Sequence, residues 1–223
     1  LGGSIFIGVF NVKAMLDEHI KNLTQYCAAD IFITFNRDYP IDEIIPIAEQ
    51  IDGITYVEGW KTFTGILETD DQSEQVTIEA PPDNSKLLGP LVQTGRWVKP
   101  DEDHTIVVNE NFYENFPNLK PGDSIILKID GRNETFTIVG IFNYTGLSYK
   151  RAYVNYATAT EITGSWSKTN SFRLVTQNHS LNSILNMEDK VNEVFRDRGY
   201  DVNNISSVQV IVNESGEKIN LVI

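Results

Sequence analysis

The alternation of hydrophobic and polar positions predicts a β-α-β-β unit in the first third of the chain. Ala29 to Asn36 alternates apolar and polar residues, which is typical of a half-buried strand. After Pro40, the apolar spacing of Ile41 to Ile51 predicts a helix with acidic residues in its first turn. Two β-rich runs, Ile54 to Thr69 and Glu74 to Ala80, then predict a hairpin.

A similar order returns near the end of the chain. Ser171 to Thr176 predicts a strand, Leu181 to Arg198 an amphipathic helix with Gly199 at its C-terminal end, and Tyr200 to Val212 a broken strand. A further amphipathic helix is predicted at Asn11 to Tyr26, where apolar residues recur every three or four positions.

The middle of the chain carries closely spaced turn signals. Thr105 to Val108 predicts a strand, and a short helical piece follows, with one face shared by Phe112, Tyr113 and Phe116. Ser124 to Ile129 and Glu134 to Ile141 flank Asp130-Gly131, a pair that favours the positive φ angles of a two-residue hairpin turn.

Together these elements predict an α+β fold with a discontinuous organisation. Residues 1–80 and 171–223 would form a βαβ-type sandwich lobe, with two helices on a mostly antiparallel sheet and the Asn11 to Tyr26 helix as a stalk. Residues 81–170 would form an inserted β-rich lobe. We expect Pro81 to Ser85 and Ser165 to Asn170 to be the two crossings between lobes.

Composition narrows the function classes. The formal net charge of −13 disfavours nucleic-acid binding, because no basic stripe is present to replace phosphate counterions. A lone cysteine, Cys27, excludes an internal disulfide and is expected to be a small buried hydrophobe at a helix end.

No stretch approaches the roughly 20 apolar residues of a membrane span. The apolar ends suggest a domain excised from between two membrane helices; alternatively, Ile5 to Phe10 and Ile219 to Ile223 are core strands.

The sequence contains few motifs that are typical of catalytic or metal-binding sites. The histidines His19, His104 and His179 fall in different predicted elements, and no nucleophile elbow, HExxH motif or Walker phosphate loop occurs. The acidic runs Asp70-Asp71 with Glu74 and Asp101 to Asp103 lack the spacing of a calcium loop and are interpreted as solvated turns. We therefore predict no catalytic, cofactor-binding or metal-binding residues. Most aromatic side chains beside loops are expected in the core, and some could form an exposed patch together with Leu147: Trp60, Phe63, Trp97, Tyr144, Tyr149, Tyr153 and Trp166.

Residues Gly95 to Gly164 resemble a known family in the order and spacing of their motifs. Gly95-Arg96-Trp97, an acidic turn, TIVVN, a short helix, KPGDSIILKIDG, FTIVGIF and RAYVNYATATEITG are similar to the MacB-like core domain. That domain is the extracytoplasmic part of FtsX-like ABC transporter permeases. Many relatives have Gly where this chain has Asn109 and Pro where it has Asn155, so the resemblance is to the superfamily rather than to MacB itself.

The resemblance implies a non-enzymatic, extracytoplasmic domain of a cell-membrane permease, with a porter-like sandwich lobe and a sabre-like inserted lobe. It implies that the domain relays ATP-driven conformational change to move or release a substrate. Implied partners are a cytoplasmic ATP-binding subunit or segment, a second permease copy, an extracytoplasmic protein, and the membrane through flanking helices. No cofactor is implied. The alternative is a secreted or surface-tethered module that binds a peptide, glycan or protein; membrane spans on both sides in the parent gene would favour the permease.

Overall fold

The structure is a computed structural model, and it describes residues 27–69, 73–89, 92–143 and 149–207. Several sequence predictions concern residues outside these ranges: the helix Asn11 to Tyr26, His19, the acidic pair Asp70-Asp71, Tyr144, Leu147, residues 208–212 of the last strand, and the apolar ends Ile5 to Phe10 and Ile219 to Ile223.

The described residues form ten strands, three α-helices and one 3-10 helix. Their bounds are β1 Ile31–Pro40, α1 Ile41–Glu49, β2 Ile54–Glu68, β3 Ser73–Ala80, β4 Val92–Gly95, β5 Thr105–Asn109, the 3-10 helix Glu110–Glu114, β6 Ser124–Ile129, β7 Arg132–Phe142, β8 Lys150–Tyr153, α2 Tyr156–Thr163, β9 Lys168–Thr176, α3 Leu181–Asp197 and β10 Val202–Ser207.

The strands form one mixed sheet in the order β10-β1-β9-β2-β3-β8-β5-β7-β4, and β6 pairs with both β2 and β7. The two halves of the long strand β2 pair with different strands. Its first half, Ile54 to Trp60, pairs with β9, and its second half, Lys61 to Glu68, pairs with β3. The fold is therefore α+β, as predicted.

Strands β10, β1, β9 and the first half of β2, with α1 and α3, are called here the helix-covered region. Ile31, Ile33 and Phe35 alternate along β1 and are buried against residues of both helices, as the sequence pattern predicts. Gly199 lies two residues after the end of α3, and its φ is 81°. Gly199 N–H bonds to the Arg196 carbonyl and Tyr200 N–H to the Phe195 carbonyl, the pattern of a Schellman motif.

The second half of β2 with β3, β8, β5, β7 and β6 is called here the closed region, because β6 returns to β2 through the pair Ile66↔Lys128. Its interior holds a separate apolar cluster that includes Ile78, Val108 and Phe136, and α2 packs Ala159 and Ile162 against it. The β6–β7 turn has the predicted positive φ angles, 48° at Asp130 and 79° at Gly131.

Two details differ from the sequence predictions. Tyr113 is 36% exposed while Phe112 is fully buried, because successive residues of a 3-10 helix point about 120° apart. Strand β9 begins at Lys168, whereas the sequence predicts a strand that begins at Ser171. Apart from the β6–β7 hairpin, no strand pairing was predicted for the middle of the chain. There the sheet contains two parallel pairings, β3 with β8 and β5 with β7.

Candidate functional site

The chain enters β1 and leaves β10 at the same end of the sheet. These two strands are antiparallel, and their register pairs Ile31, the first residue of β1, with Ser207, the last residue of β10. Antiparallel pairing places such residues about 5 Å apart. The two ends of the described domain are therefore side by side, although 176 positions of sequence separate Ile31 from Ser207.

A buried ionic network joins the two regions. Glu79 on β3 is 2% exposed, and its carboxylate accepts hydrogen bonds from Arg173 Nη2 at 2.7 Å, Arg151 Nη1 at 3.0 Å and the Tyr153 hydroxyl at 2.8 Å. Arg173 lies on β9 in the helix-covered region, and Arg151 and Tyr153 lie on β8 in the closed region. The carboxylate thus connects strands of both regions.

Aromatic rings hold the Arg173 side chain in place. Its guanidinium carbon lies 4.7 Å from the ring centre of Phe32 on β1 and 5.2 Å from that of Trp60 on β2. Its Nη1 also donates to Ser171 Oγ at 2.7 Å. Stacking on aromatic faces and forked hydrogen bonding suit arginine better than lysine at such a position.

Electrostatics keep this network ionised. Burial disfavours the charged form of Glu79, but the charges of Arg151 and Arg173 and the hydrogen bonds of Tyr153 and Arg173 outweigh it. They hold the Glu79 pKa below its ordinary value. A buried carboxylate with two cationic partners and several donors is satisfied, so this is an internal connection with a fixed geometry.

A second buried carboxylate ties a loop to β2. Glu58, 3% exposed, accepts from Trp60 Nε1 at 2.8 Å, from Ser85 Oγ at 2.6 Å and from the backbone N–H of Lys86 at 2.8 Å. The Tyr56 hydroxyl also bonds to it at 3.0 Å. The loop that leads from β3 towards β4 is therefore fixed against the point where the two regions meet.

A cleft of about 680 Å³ opens at the same junction, between α1 and α2. Its walls come from the start of α1, the first half of β2, the start of α2 and the loop at Pro82 to Asn84. Trp166 lies at this cleft and is 71% exposed, the largest exposure among the large hydrophobic side chains of the described residues. Clefts of this volume fall in the range typical of small-molecule sites.

The structure keeps the sequence-predicted polar candidates apart. His104 faces Glu134 at 3.5 Å, and His179 faces Asp30 at 2.9 Å. Glu74 pairs with Lys150, which is itself buried, and Glu102 pairs with Arg96. Among the residues that the structure describes, no group of three or more His, Cys, Asp and Glu side chains could hold a metal ion.

The aromatic candidates separate into core and surface. Trp60 and Tyr153 are 1% exposed and meet edge to face at 6.4 Å, and Phe63 and Trp97 pack partly buried against core clusters. Tyr149 and Trp166 are exposed. Cys27 is buried, as predicted, and forms an isolated β-bridge with Leu88. The predicted helix that would end beside it lies outside the described residues.

Sequence reasoning missed the Glu79 network and the cleft. Glu79 and Arg173 did carry a local signal, because each interrupts a β-rich run of otherwise apolar or small residues, TIEA and SFRLV. A charged residue at an interior strand position suggests a paired charge, since unpaired charges are rarely buried. The identity of the partner could not be inferred.

In comparisons with known proteins, residues 4–193 match the family described as the MacB-like periplasmic core domain. The periplasmic region of MacB from Actinobacillus actinomycetemcomitans superposes with a TM-score of 0.53 and 14% identity, over 88% of this chain and 97% of that one. The extracellular domain of the noncanonic ABC-type transporter YknZ from Gram-positive bacteria gives a TM-score of 0.48 and 14% identity, over 79% of this chain and 99% of that one.

A domain of a putative permease protein from Porphyromonas gingivalis gives a TM-score of 0.40 and 12% identity, over 78% of this chain and 90% of that one. No curated protein matches the chain significantly. In the described part of the chain, every helix is too short or too polar to cross a bilayer.

Proposed function

The chain belongs to the family of MacB-like periplasmic core domains, and from this premise we propose that it relays ATP-driven conformational change to move or release a substrate outside the membrane. It is an extracytoplasmic domain of an ABC transporter permease. The proposal concerns what this domain does within the transporter: it transmits motion and performs no catalysis itself.

The adjacent ends of the domain carry the proposal. A loop between two neighbouring membrane helices must start and finish at one pole, and the Ile31↔Ser207 pair meets this requirement. We propose that Asn11 to Tyr26 is the stalk that links the domain to one membrane helix, and that Val208 to Ile223 links it to the next.

The buried network at Glu79 supports the same role. Motion is passed on only if the moving part is stiff, because a soft connection converts the work into local disorder. Strand β9 pairs with β1, the strand at which the described chain enters the sheet. The hydrogen bond from Arg173 on β9 to Glu79 on β3 connects this part of the sheet to the closed region. We propose a porter-like lobe of residues 1–80 and 171–223 and a sabre-like inserted lobe of residues 81–170, which move nearly as one body. Glu79 and Arg173 both belong to the first lobe, and the bonds of Glu79 to Arg151 and Tyr153 join it to the second.

The proposed partners follow from this role. ATP would be hydrolysed by a separate cytoplasmic subunit or segment. A second permease copy would face this one across the substrate path, an extracytoplasmic protein would receive the substrate, and flanking helices would anchor the domain in the membrane.

The first test is the distance between the two ends of the domain. Spin labels at Lys13 and Lys218 are expected to give a short, narrow distance distribution by dipolar spectroscopy. A distance comparable to the length of the domain would contradict the membrane-loop arrangement and favour a secreted binding module.

The second test measures rigidity in the assembled transporter. Labels at Glu193 on α3 and Asp130 in the β6–β7 turn report on the helix-covered and closed regions of one domain. Their distance distribution is expected to stay unchanged between nucleotide-free and ATP-bound states, while the distance between Asp130 labels on two permease copies changes. Broadening within one domain on ATP binding would contradict transmission by a rigid body.

A further inference from the structure

We propose that the cleft between α1 and α2 binds a small organic cation with an apolar aromatic body. This inference goes beyond the relay of motion, because it assigns a ligand class to a site on the domain itself. It does not depend on the transporter role and stands on the geometry and charge of the cleft.

The charge of the cleft points to a cation. Its walls include three carboxylates, Asp42, Glu58 and Asp83, and no lysine, arginine or histidine. Glu58 accepts hydrogen bonds from four donors, which hold its carboxylate in place. Asp42 and Asp83 are exposed and have no hydrogen-bond or ion-pair partner among the described residues, so both can face a bound cation.

Most of the remaining wall is apolar or aromatic, and Asn84, Thr160 and Ser167 are its other polar members. Ile41 and Ile45 of α1 and Pro82 of the loop contribute aliphatic surface, and Tyr56, Tyr156 and Trp166 contribute rings. Lysines outside the cleft already lie over two of these rings, Lys86 over Tyr56 at 5.4 Å and Lys61 over Tyr156 at 5.8 Å. Trp166 therefore offers the ring for a ligand cation.

The Trp166 segment is held in a defined position beside the cleft. Ser167 adopts a left-handed backbone with φ of 58°, which is costly for a residue with a side chain. Its carbonyl accepts from the N–H of Ile41 at 3.0 Å, and Ser165 Oγ bonds to Asp38 at 2.7 Å. An exposed tryptophan on a tethered, strained segment beside an acidic cleft is suited to contact a ligand.

The size of the cleft decides between ligand classes. A volume of about 680 Å³ accommodates one drug-sized molecule. We therefore assign a compact amphiphilic cation as the ligand class.

The test uses two probes of the same shape and opposite charge, tetraphenylphosphonium and tetraphenylborate, titrated into the 223-residue chain by calorimetry. The phosphonium is expected to bind with one-to-one stoichiometry and the borate not to bind. Asp42→Asn and Asp83→Asn are each expected to weaken phosphonium binding by about two- to fivefold. Trp166→Ala is expected to weaken it by a similar factor of about two to five.

The matched control neutralises two exposed carboxylates on α3, away from the cleft, with Glu193→Gln and Asp197→Asn. This double variant is expected to bind like the parent chain, while Asp42→Asn with Asp83→Asn weakens binding by the product of the single effects. An equal loss of affinity in both double variants would show that the overall negative charge of the protein attracts the phosphonium and that the cleft does not bind it specifically. That result, binding of the borate, or no binding of the phosphonium would overturn the proposal.

Discussion

Arg173 donates a hydrogen bond from Nη2 to Oε1 of Glu79 across 2.7 Å, and the two side chains are 94 residues apart in the chain. The pair joins β9 of the helix-covered region to β3 of the closed region. Both side chains are under 10% exposed, so the contact is shielded from solvent and from salt. We regard this pair as the main polar connection between the two regions.

Removal of Arg173 should therefore be costly. Arg173→Met leaves Glu79 buried with Arg151 and Tyr153 as partners, and we expect the free energy of unfolding to fall by about 3 kcal/mol in urea denaturation. The control is Lys128→Met, which breaks the surface pair of Lys128 and Glu68 at 3.1 Å. That change should cost at most about 1 kcal/mol. Equal losses would show that the buried pair has no special role.

Acid should weaken the same connection. The Glu79 pKa is lowered in the folded protein from an ordinary value of 4.5, so its stabilising contribution is present above that pH. The contribution is lost as the pH falls below 4.5 towards the folded pKa. The free energy of unfolding, measured from pH 7 to pH 3, should fall more steeply for the parent than for Glu79→Gln. Some slope remains in the variant, because the pKa values of Glu74 and Glu102 are also lowered. Parallel curves would contradict the assignment.

Cys27 should be chemically inert in the folded protein. It is 8% exposed, and burial raises its thiol pKa from 9.0 to about 11. At pH 8 the reactive thiolate is thus about a thousandth of the total, and reagents reach it poorly. We expect a disulfide reagent to label the native chain very slowly and the urea-unfolded chain rapidly. As the chain has one cysteine, the readout is unambiguous, and fast native labelling would show that this region opens.

Gly140 should not tolerate a side chain. A Cβ there would lie 2.2 Å from the Arg96 carbonyl oxygen, a backbone atom that can move only if the β4 edge shifts. We expect Gly140→Ala to lower the free energy of unfolding by about 3 kcal/mol and to speed hydrogen exchange in β4. At Gly122, φ is 98° and a Cβ would meet no atom within 4 Å, so Gly122→Ala should cost only the backbone strain of about 1 to 2 kcal/mol. The reverse order would contradict this explanation.

Asn155 should be replaceable by neither Ala nor Asp. Its side-chain oxygen accepts from Thr158 N–H at 2.7 Å to cap α2, and its amide group donates to the carbonyls of Lys99 and Glu102. Asn155→Ala should lower the free energy of unfolding by about 2 kcal/mol through the lost cap and two unpaired carbonyls. Asp is an equally good cap on an exposed helix but would place a carboxylate against those carbonyls. We expect Asn155→Asp to be at least as destabilising; a harmless Asp would mean that only the cap matters.

Local features were predictable from the sequence. The Asp130-Gly131 turn, the Gly199 helix end and the buried alternation of Ile31, Ile33 and Phe35 each depend on neighbours a few positions away. Residue type decides such features directly, through the allowed φ angles and through the period of the secondary structure. Tyr113 shows the limit of this reasoning, because its direction depends on whether a short helix winds with three or with 3.6 residues per turn.

The sequence alone determined the fold class, the order of most elements and the resemblance to MacB-like core domains, since these depend on local pattern and motif spacing. Only the tertiary structure decided that Ile31 faces Ser207, that β6 returns to β2, that Arg173 meets Glu79, and that α1 and α2 leave an acidic cleft between them. These relationships join residues that lie between 62 and 176 positions apart in the chain. They are set by how twisted strands pair and how side chains share a buried space, and no local propensity encodes that choice.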